Sequence, residues 1–281
     1  MSDIQSQISN LQSQLESAYP KDEALALAWW IAEERSGLSR TQLLCGCKDT
    51  TFLANTQAII ERLLHFEPIQ YIFGHTLWCG LDLKVTPSTL IPRPETAELA
   101  ERIANSQQLI ANNRVLDLGT GSGCIAIALK KAHPEWQVTG IDISPEAIEV
   151  AKENAKRNKV EVDFHVADIF SSQMVNGKWL NGKWFDIVVS NPPYICESEK
   201  ESMRPNVLDN EPAQALFVPD HDPLRFYRRI AELKWGKYLF FEINEAYPNE
   251  LALMLEELGY MDIIITKDIY GKPRIIEARM A

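Results

Sequence analysis

The chain has 281 residues, 46% of them hydrophobic and 24% charged, with 28 Lys and Arg against 39 Asp and Glu and a formal net charge of −11. That balance is ordinary for a folded globular protein and excludes a disordered chain, a collagen-like fibre and a long coiled coil. So acidic a chain makes a poor generic coat for DNA or RNA, which requires Lys and Arg on phosphates. No apolar run reaches the roughly 18 residues of a spanning helix. The start, Met1-Ser2-Asp3-Ile4-Gln5, is polar and acidic, where a secretory signal is basic and then apolar. A cytoplasmic protein is expected. Cys45, Cys47, Cys79, Cys124 and Cys196 are odd in number and the histidines are scattered, so neither a disulfide framework nor a metal site is expected.

Residues 1 to about 75 read as a helical bundle. Ile4, Ile8, Leu11 and Leu15 recur at helical spacing, and Pro20 stops that helix. A second helix runs from about Lys21 to Ser36, with Leu25, Ala28, Trp29 and Ala32 on its apolar side, and Gly37 ends it. Ser39 caps a short helix through Leu43-Leu44, and a further helix spans about Phe52 to Phe66. Over 76–92 the period changes to two, with Leu81, Leu83 and Val85 alternating with Asp82 and Lys84, which predicts a strand or hairpin. Leu90-Ile91-Pro92-Arg93-Pro94-Glu95-Thr96 is held extended by its prolines, and a helix follows from Glu95 to about Gln107.

From about Asn113 strands and helices alternate. Strands are predicted at Arg114–Leu118, Gln137–Asp142, Glu161–Val166, Phe185–Ser190, Tyr238–Ile243, Met261–Thr266 and Arg274–Ala278. Helices are predicted at about Cys124–Ala132, Pro145–Asn158, Asp222–Leu233 and Pro248–Leu258. Such alternation gives a mostly parallel sheet covered on both faces. The short link Lys267–Pro273 forces the last two strands antiparallel. Asn176-Gly177 and Asn181-Gly182 are turn signals before the Phe185 strand. The organisation expected is residues 1–75 as a helical domain, 76–96 as a hairpin and linker, and 97–281 as an α/β domain.

Two motifs carry chemistry. Gly119-Thr120-Gly121-Ser122-Gly123 turns the first strand into a helix. Glycines there let the backbone turn sharply and approach a ligand. The spacing is G-x-G-x-G, so it is neither the dinucleotide G-x-G-x-x-G nor a lysine-bearing P-loop. It resembles the first motif of class I S-adenosylmethionine-dependent methyltransferases. Asp142 ends the next strand, where a carboxylate can accept both ribose hydroxyls. By the same resemblance, Asp168 and Ile169 are candidates for the adenine amino group and the adenine slot. Asn191-Pro192-Pro193-Tyr194 follows the Phe185 strand. An amide or aromatic amino nitrogen is a poor nucleophile, because its lone pair is delocalised. The Asn191 side-chain oxygen and the Pro192 carbonyl can each accept one N–H, which aims that lone pair, while Tyr194 stacks on the planar group. The pair of motifs points to methyl transfer onto a planar nitrogen and leaves adenine and glutamine both open.

The chain resembles the HemK/PrmC family of release factor glutamine methyltransferases. The matching segments are Pro68–Gly74, Leu90–Thr96, Gly119–Gly123, Asp142, Asn191–Tyr194, Glu211-Pro212 with Ala215–Phe217, and Asp268 with Gly271 and Arg274. The resemblance implies a class I methyltransferase fold with its last strand antiparallel, S-adenosylmethionine as cofactor, and peptide chain release factors as protein substrates, methylated on the glutamine of a Gly-Gly-Gln motif. It implies that Asn191 holds the glutamine amide and also borders the cofactor, that Tyr194 packs on the amide, and that Arg93, Glu95 and Thr96 wall the acceptor side. A monomer is expected, without sequence-specific nucleic-acid binding or membrane attachment. Val218–Pro223 and Glu242-Ile243-Asn244 depart from the family pattern, and both are expected to lie away from the two motifs. The competing readings are a nucleic-acid amino methyltransferase and a non-catalytic cofactor-binding scaffold.

Overall fold

The computed structural model describes residues 3–46, 50–106, 112–171 and 184–281. The turn signals at Asn176 and Asn181, the helix end near Gln107, and Cys47 lie outside the described residues. The chain separates into two units, Met1–Gly74 with Pro205–Asn210, and His75–Arg204 with Glu211–Ala281.

In the first unit, helix α1 (Asp3–Leu15) buries the stripe Ile4, Ile8, Leu11 and Leu15. Helix α2 (Lys21–Ser36) buries Ala24, Ala28, Trp29, Ile31 and Ala32 and ends at left-handed Gly37, whose N–H reaches Glu33 O at 2.8 Å. Leu25, expected on that face, is only half-buried. Helix α3 (Arg40–Gly46) starts with a reciprocal cap. Ser39 Oγ accepts from the Gln42 N–H at 3.4 Å, and Gln42 Oε1 accepts from the Ser39 N–H at 2.9 Å. The single helix expected over Phe52–Phe66 is broken into a 3-10 turn, Thr51–Leu53, and helix α4 (Gln57–Leu64). The cause is Asn55, left-handed at φ 61°, a conformation that cannot continue a helix. Helix α5 (Ile69–Phe73) follows Pro68, and Asn210 Nδ2 donates to Phe66 O at 3.1 Å.

The second unit opens with hairpin β1 (His75–Trp78) and β2 (Leu81–Lys84). Its two-residue turn, Cys79-Gly80, has both φ angles positive (49° and 69°), which matches the twist of a hairpin. Next come α6 (Pro94–Ala104), β3 (Arg114–Leu118), α7 (Cys124–Ala132), β4 (Gln137–Asp142), α8 (Pro145–Arg157), β5 (Asp163–Val166), β6 (Phe185–Ser190) and β7 (Ile195–Cys196). After α9 (Pro205–Leu208), which groups with the first unit, come α10 (Ala213–Leu216), β8 (Phe217–Val218), α11 (Arg225–Leu233), β9 (Gly236–Glu242), α12 (Pro248–Glu257), β10 (Tyr260–Lys267) and β11 (Pro273–Met280). Helix α8 starts as its sequence predicts, with Ser144 Oγ accepting from the Ala147 N–H at 3.0 Å and Pro145 in the first turn.

The main sheet runs β10-β11-β9-β6-β3-β4-β5. From β9 to β5 all neighbours are parallel, and β11 is antiparallel to both β9 and β10. This is the class I methyltransferase sheet that the resemblance implies, with the parallel core and antiparallel last pair that the strand–helix alternation predicts. Alternate residues face two cores. Val115, Ile187 and Val189 pack with α6, α7 and α8, while Leu116, Val188, Leu239 and Phe241 pack with α11 and α12. Both faces being covered explains why the strands read as continuous apolar runs. None of the described helices is long and apolar enough to cross a membrane.

Candidate active site

Register determines which residues meet at the carboxyl edge of the sheet. Leu118 of β3 pairs with Ser190 of β6, and Ser190 Oγ donates to Leu118 O at 2.6 Å. Gly119 and Asn191 therefore begin their loops side by side. Leu118 also pairs with Ile141, which sets Asp142 on the other side of Gly119. Ser190 also pairs with Phe241, which sets Glu242 beside Asn191. The connections from β3 and β6 part here, at the switch point where open α/β sheets bind ligands. A cavity of about 490 Å³ opens over this row.

One end of the cavity is a nucleoside-like cradle. Gly119 (φ 71°) and Gly121 (φ 53°) line it in left-handed conformations, and nothing lies within 4 Å of where a Cβ would stand. A side chain at either glycine would fill the space the loop leaves for a ligand. The Gly121 N–H donates to Asp142 Oδ2 at 2.8 Å and the Ser144 N–H to Oδ1 at 3.0 Å. Burial raises the Asp142 pKa, and these backbone donors pull it back. Beyond Asp142, Ile143 (55% exposed), Ile169 and Phe170 form an apolar slot. Phe226 meets Phe170 edge-on at 5.2 Å, and the Arg225 guanidinium lies 4.9 Å over the Phe170 ring. Asp168 lines the same slot, and its Oδ1 caps the Phe170 N–H at 2.8 Å. A carboxylate for a ribose diol, apolar walls for a flat purine and a glycine cradle form a donor set that fits S-adenosylmethionine. The loop is anchored from below by Thr120 Oγ1, which donates to Asp117 Oδ2 at 2.6 Å. Asp117 is fully buried, and burial pushes its pKa up to about 7.

The other end is built around Asn191. Asn191 Nδ2 donates to Thr96 Oγ1 at 3.1 Å, and Thr96 Oγ1 donates to Glu242 Oε2 at 2.6 Å. The Tyr194 hydroxyl donates to Glu242 Oε1 at 3.1 Å, and the Tyr227 hydroxyl to the Glu242 backbone carbonyl at 3.0 Å. Asn244 Nδ2 donates to Tyr194 O at 3.0 Å, which ties the Asn191–Tyr194 turn to the end of β9. Glu242 is 1% exposed. Burial raises its pKa, while the Thr96 and Tyr194 hydroxyls and the charge of Arg274 lower it. Arg274 is itself held by Asp268, Nε to Oδ2 at 3.1 Å. Thr96 is presented by a pinned segment. Glu211 accepts from the Arg93 guanidinium at 2.5 Å and from the Ile91 N–H at 3.1 Å, and Trp78 Nε1 donates to Arg93 O at 2.8 Å.

Of the residues expected at the site, Gly119, Thr120, Gly121, Ser122, Asp142, Asp168, Ile169, Asn191, Pro192, Pro193 and Thr96 line the cavity. Gly123 does not. A Cβ there would stand 3.1 Å from Ala151, Ile127 and Phe164, so this glycine serves close helix–sheet packing rather than the ligand. Tyr194 also stands off the cavity wall. Its ring packs on the core that holds Leu118 and Phe241, and its hydroxyl is spent on Glu242. Arg93 is turned to Glu211, and Glu95 sits in the first turn of α6 outside the lining. The expectation that Glu242-Ile243-Asn244 lies away from the motifs is overturned, since Glu242 and Asn244 bond directly to the residues around Asn191. Ile143, Phe170 and Arg225 are further lining residues that motif reading passes over.

Residues 8–74 match the family described as the PrmC N-terminal domain, and residues 95–214 match the methyltransferase small domain. The release factor glutamine methyltransferase of Bacteroides thetaiotaomicron is 45% identical over 277 residues, covering 95% of this chain and 97% of that one. The one from Flavobacterium psychrophilum is 39% identical over 274 residues, 94% of each. Among solved structures, the catalytic domain of human METTL16 bound to a 3′UTR hairpin matches with a TM-score of 0.54. That match covers 72% of this chain and 76% of that one at 15% identity, a likeness of fold alone. Identity of this level across nearly the whole of both sequences is family membership, and the chain belongs to the release factor glutamine methyltransferase family, whose members use S-adenosylmethionine as methyl donor.

Proposed function

We propose that this enzyme transfers a methyl group from S-adenosylmethionine to the side-chain amide nitrogen of the glutamine in the Gly-Gly-Gln motif of peptide chain release factors. The observation that carries the reading is the placement of Asn191, whose amide lines the cavity beside the glycine cradle with its nitrogen already committed to Thr96. When bound, the cofactor supplies a methyl on a positively charged sulfur, open to in-line displacement.

Gly119, Thr120, Gly121 and Ser122 would make room for its methionine part, Asp142 would take the ribose hydroxyls, and Asp168 with Ile169 and Ile143 would take the adenine. On the acceptor side, Asn191 Oδ1 and the Pro192 carbonyl each accept one N–H of the glutamine amide. That fixes the nitrogen and turns its lone pair toward the methyl, which is catalysis by orientation. Pro192 and Pro193 keep the turn rigid. Tyr194 and Glu242 act through Asn191 and Thr96, and Arg93 and Glu95 hold the segment that walls the acceptor side. The new N–C bond forms as the C–S bond breaks, and that electron pair stays on sulfur. The methylated nitrogen then sheds a proton to water, so no strong general base is needed.

In this proposal residues 1–75 form the domain that grips the release factor, 76–96 link, and 97–281 catalyse. The six Lys and Arg against ten Asp and Glu over residues 1–90 suit a basic protein partner. The enzyme acts in the cytoplasm as a monomer and does not select nucleic acid, a reading supported by the net charge of −11. The test is mass spectrometry of an unmethylated release factor incubated with the enzyme and S-adenosylmethionine, with an RNA and a DNA substrate in parallel. One methyl on the Gly-Gly-Gln glutamine supports the reading. Methyl on nucleic acid alone moves the acceptor to a base, and bound cofactor without any transfer points to a scaffold.

A further inference from the structure

An asparagine amide is nearly symmetric in shape and opposite in chemistry at its two ends. One end accepts hydrogen bonds and the other donates two. Rotating Asn191 by half a turn would present N–H groups to an incoming amide N–H, two donors facing each other. The site therefore requires something that fixes the rotation, and the hydroxyl of Thr96 is the group within reach of Asn191 Nδ2, at 3.1 Å.

A hydroxyl alone does not fix anything, because it can donate or accept with equal ease. Thr96 has one hydrogen, and here it is directed at Glu242 Oε2, 2.6 Å away. Glu242 Oε1 takes a second hydroxyl hydrogen, from Tyr194 at 3.1 Å. A carboxylate has no hydrogen to return, so both hydroxyls must point toward it. With its hydrogen spent, the oxygen of Thr96 can only accept, and the group it accepts from is the Asn191 NH2. Asn191 Oδ1 is thereby left for the cavity. Thr96 is 2% exposed and Glu242 1%, so the pair is shielded from bulk solvent.

We propose that Thr96 and Glu242 are positioning residues that lock the Asn191 amide with its oxygen toward the acceptor, and that this lock is what makes the site select glutamine over glutamate. This rests on the proposed acceptor. A glutamine side chain brings N–H groups to Asn191 Oδ1. A glutamate side chain brings only oxygens and is repelled by that oxygen. A rotated Asn191 would reverse the preference, since its N–H groups would welcome a carboxylate. The lock thus keeps the free acid from occupying the site as an unreactive competitor.

The test uses the full-length enzyme, a release factor as substrate, and the same release factor with its Gly-Gly-Gln glutamine changed to glutamate as competitor. Three variants are compared. Thr96→Val keeps the shape and deletes the hydroxyl. Thr96→Ser returns it. Glu242→Gln offers Thr96 an N–H in one of its two amide orientations, and in that orientation the Thr96 hydrogen turns toward Asn191. Both Thr96→Val and Glu242→Gln should lose about 10- to 100-fold in kcat. The ratio of the competitor's Ki to the substrate's KM should fall by about tenfold or more, most in Thr96→Val. Thr96→Ser should recover most of the rate and the ratio lost in Thr96→Val, and cofactor affinity should hold across the set. A slower enzyme whose Ki/KM ratio is unchanged in both variants overturns the lock and leaves a merely structural role. Cofactor affinity falling in step with kcat overturns it equally. Failure of the wild-type enzyme on the release factor overturns the proposed acceptor, and this inference with it.

Discussion

Asp117 is the most exposed point of the design to pH, although it touches no solvent. Its side chain is fully buried beneath the glycine loop, where Oδ2 accepts from Thr120 Oγ1 at 2.6 Å and Oδ1 has no hydrogen-bond partner among the described residues. Burial lifts its pKa from 3.8 to about 7, with the Thr120 hydroxyl offsetting part of the rise and the charge of Asp142 adding to it. Below pH 3.8 the group is protonated in both folded and unfolded chains and has no effect. Between 3.8 and about 7 the folded protein keeps a proton that the unfolded chain has released, so stability falls as pH rises. Above about 7 the loss is complete.

At about 1.4 kcal/mol per pKa step, the cost is about 2 kcal/mol at pH 5 and about 4 kcal/mol at pH 8, so about 2–3 kcal/mol accrues between them. Asp117→Asn keeps an oxygen for Thr120 and removes the titration. Its NH2 group brings a fixed penalty of about 1–3 kcal/mol if unpaired, but that penalty does not change with pH. Calorimetric Tm values of wild type and Asp117→Asn at pH 5 and pH 8 isolate the effect, because titrating groups not coupled to Asp117 cancel in the difference. The variant should gain on wild type by about 5–10 °C over that interval, taking 2–4 °C per kcal/mol for a unit of this size. Tm curves that run parallel would refute the reasoning and mean that Asp117 is not held protonated by its surroundings.

The remaining predictions concern ligand affinity and packing. Asp142→Ala should raise the S-adenosylmethionine Kd by about 10- to 150-fold in titration calorimetry, from loss of about 1.5–3 kcal/mol of charge-assisted bonding, and an unchanged Kd would sink the ribose assignment. Wild-type affinity should also weaken as pH drops through the Asp142 pKa, which burial raises. Asn191→Ala should abolish methyl transfer while leaving cofactor Kd within a few-fold, and a Kd that falls away with the rate would remove its acceptor role. Gly140→Ala should lower Tm and weaken cofactor binding together. Its Cβ would stand 2.6 Å from the Phe164 ring and 2.9 Å from Thr120 Oγ1, the hydroxyl that anchors the glycine loop. Retention of both Tm and affinity would show that the loop does not depend on that anchor.

Local chemistry was legible in the sequence. Glycine spacing marked the cradle, Ser144-Pro145 marked the start of α8, and the short link after Thr266 marked the reversal of β11. What escaped was residue function set by long-range register. Glu242 read as a departure from a family pattern because nothing near it in the chain carries chemistry, and only the β6–β9 pairing sets it beside Asn191. Gly123 failed in the opposite direction. It sits inside a ligand motif, yet its neighbours in space are Ala151, Ile127 and Phe164. Spacing reports that the backbone needs a glycine and does not report which atoms crowd it. Tyr194 was assigned by analogy to the ligand face, whereas its hydroxyl finds a buried carboxylate on the next strand.

These corrections share one geometric cause. Parallel strands in register end at one height, so the residues that follow them form a row across the sheet edge. Ile141 pairs with Leu118, Leu118 with Ser190 and Ser190 with Phe241, and their successors are Asp142, Gly119, Asn191 and Glu242. In spatial order β4-β3-β6-β9 the row reads Asp142, Gly119, Asn191, Glu242. That is ribose anchor, cradle, acceptor clamp and clamp lock, in the order the proposed chemistry needs them. Each neighbour is one strand spacing away, about 4.8 Å, and both faces of the strands are packed. In the proposed mechanism the catalytic task is to orient a weak nucleophile, which is sensitive to displacements well below that spacing. Placing these groups on adjacent strand ends, rather than on long loops, gives the site the rigidity of the sheet itself. A register slip of one residue in β9 would take Glu242 out of the row and turn an apolar Ile243 or Phe241 toward Thr96. The precision of the acceptor clamp therefore rests on the pairing of β9 with β6 and β11 as much as on the Asn-Pro-Pro-Tyr turn.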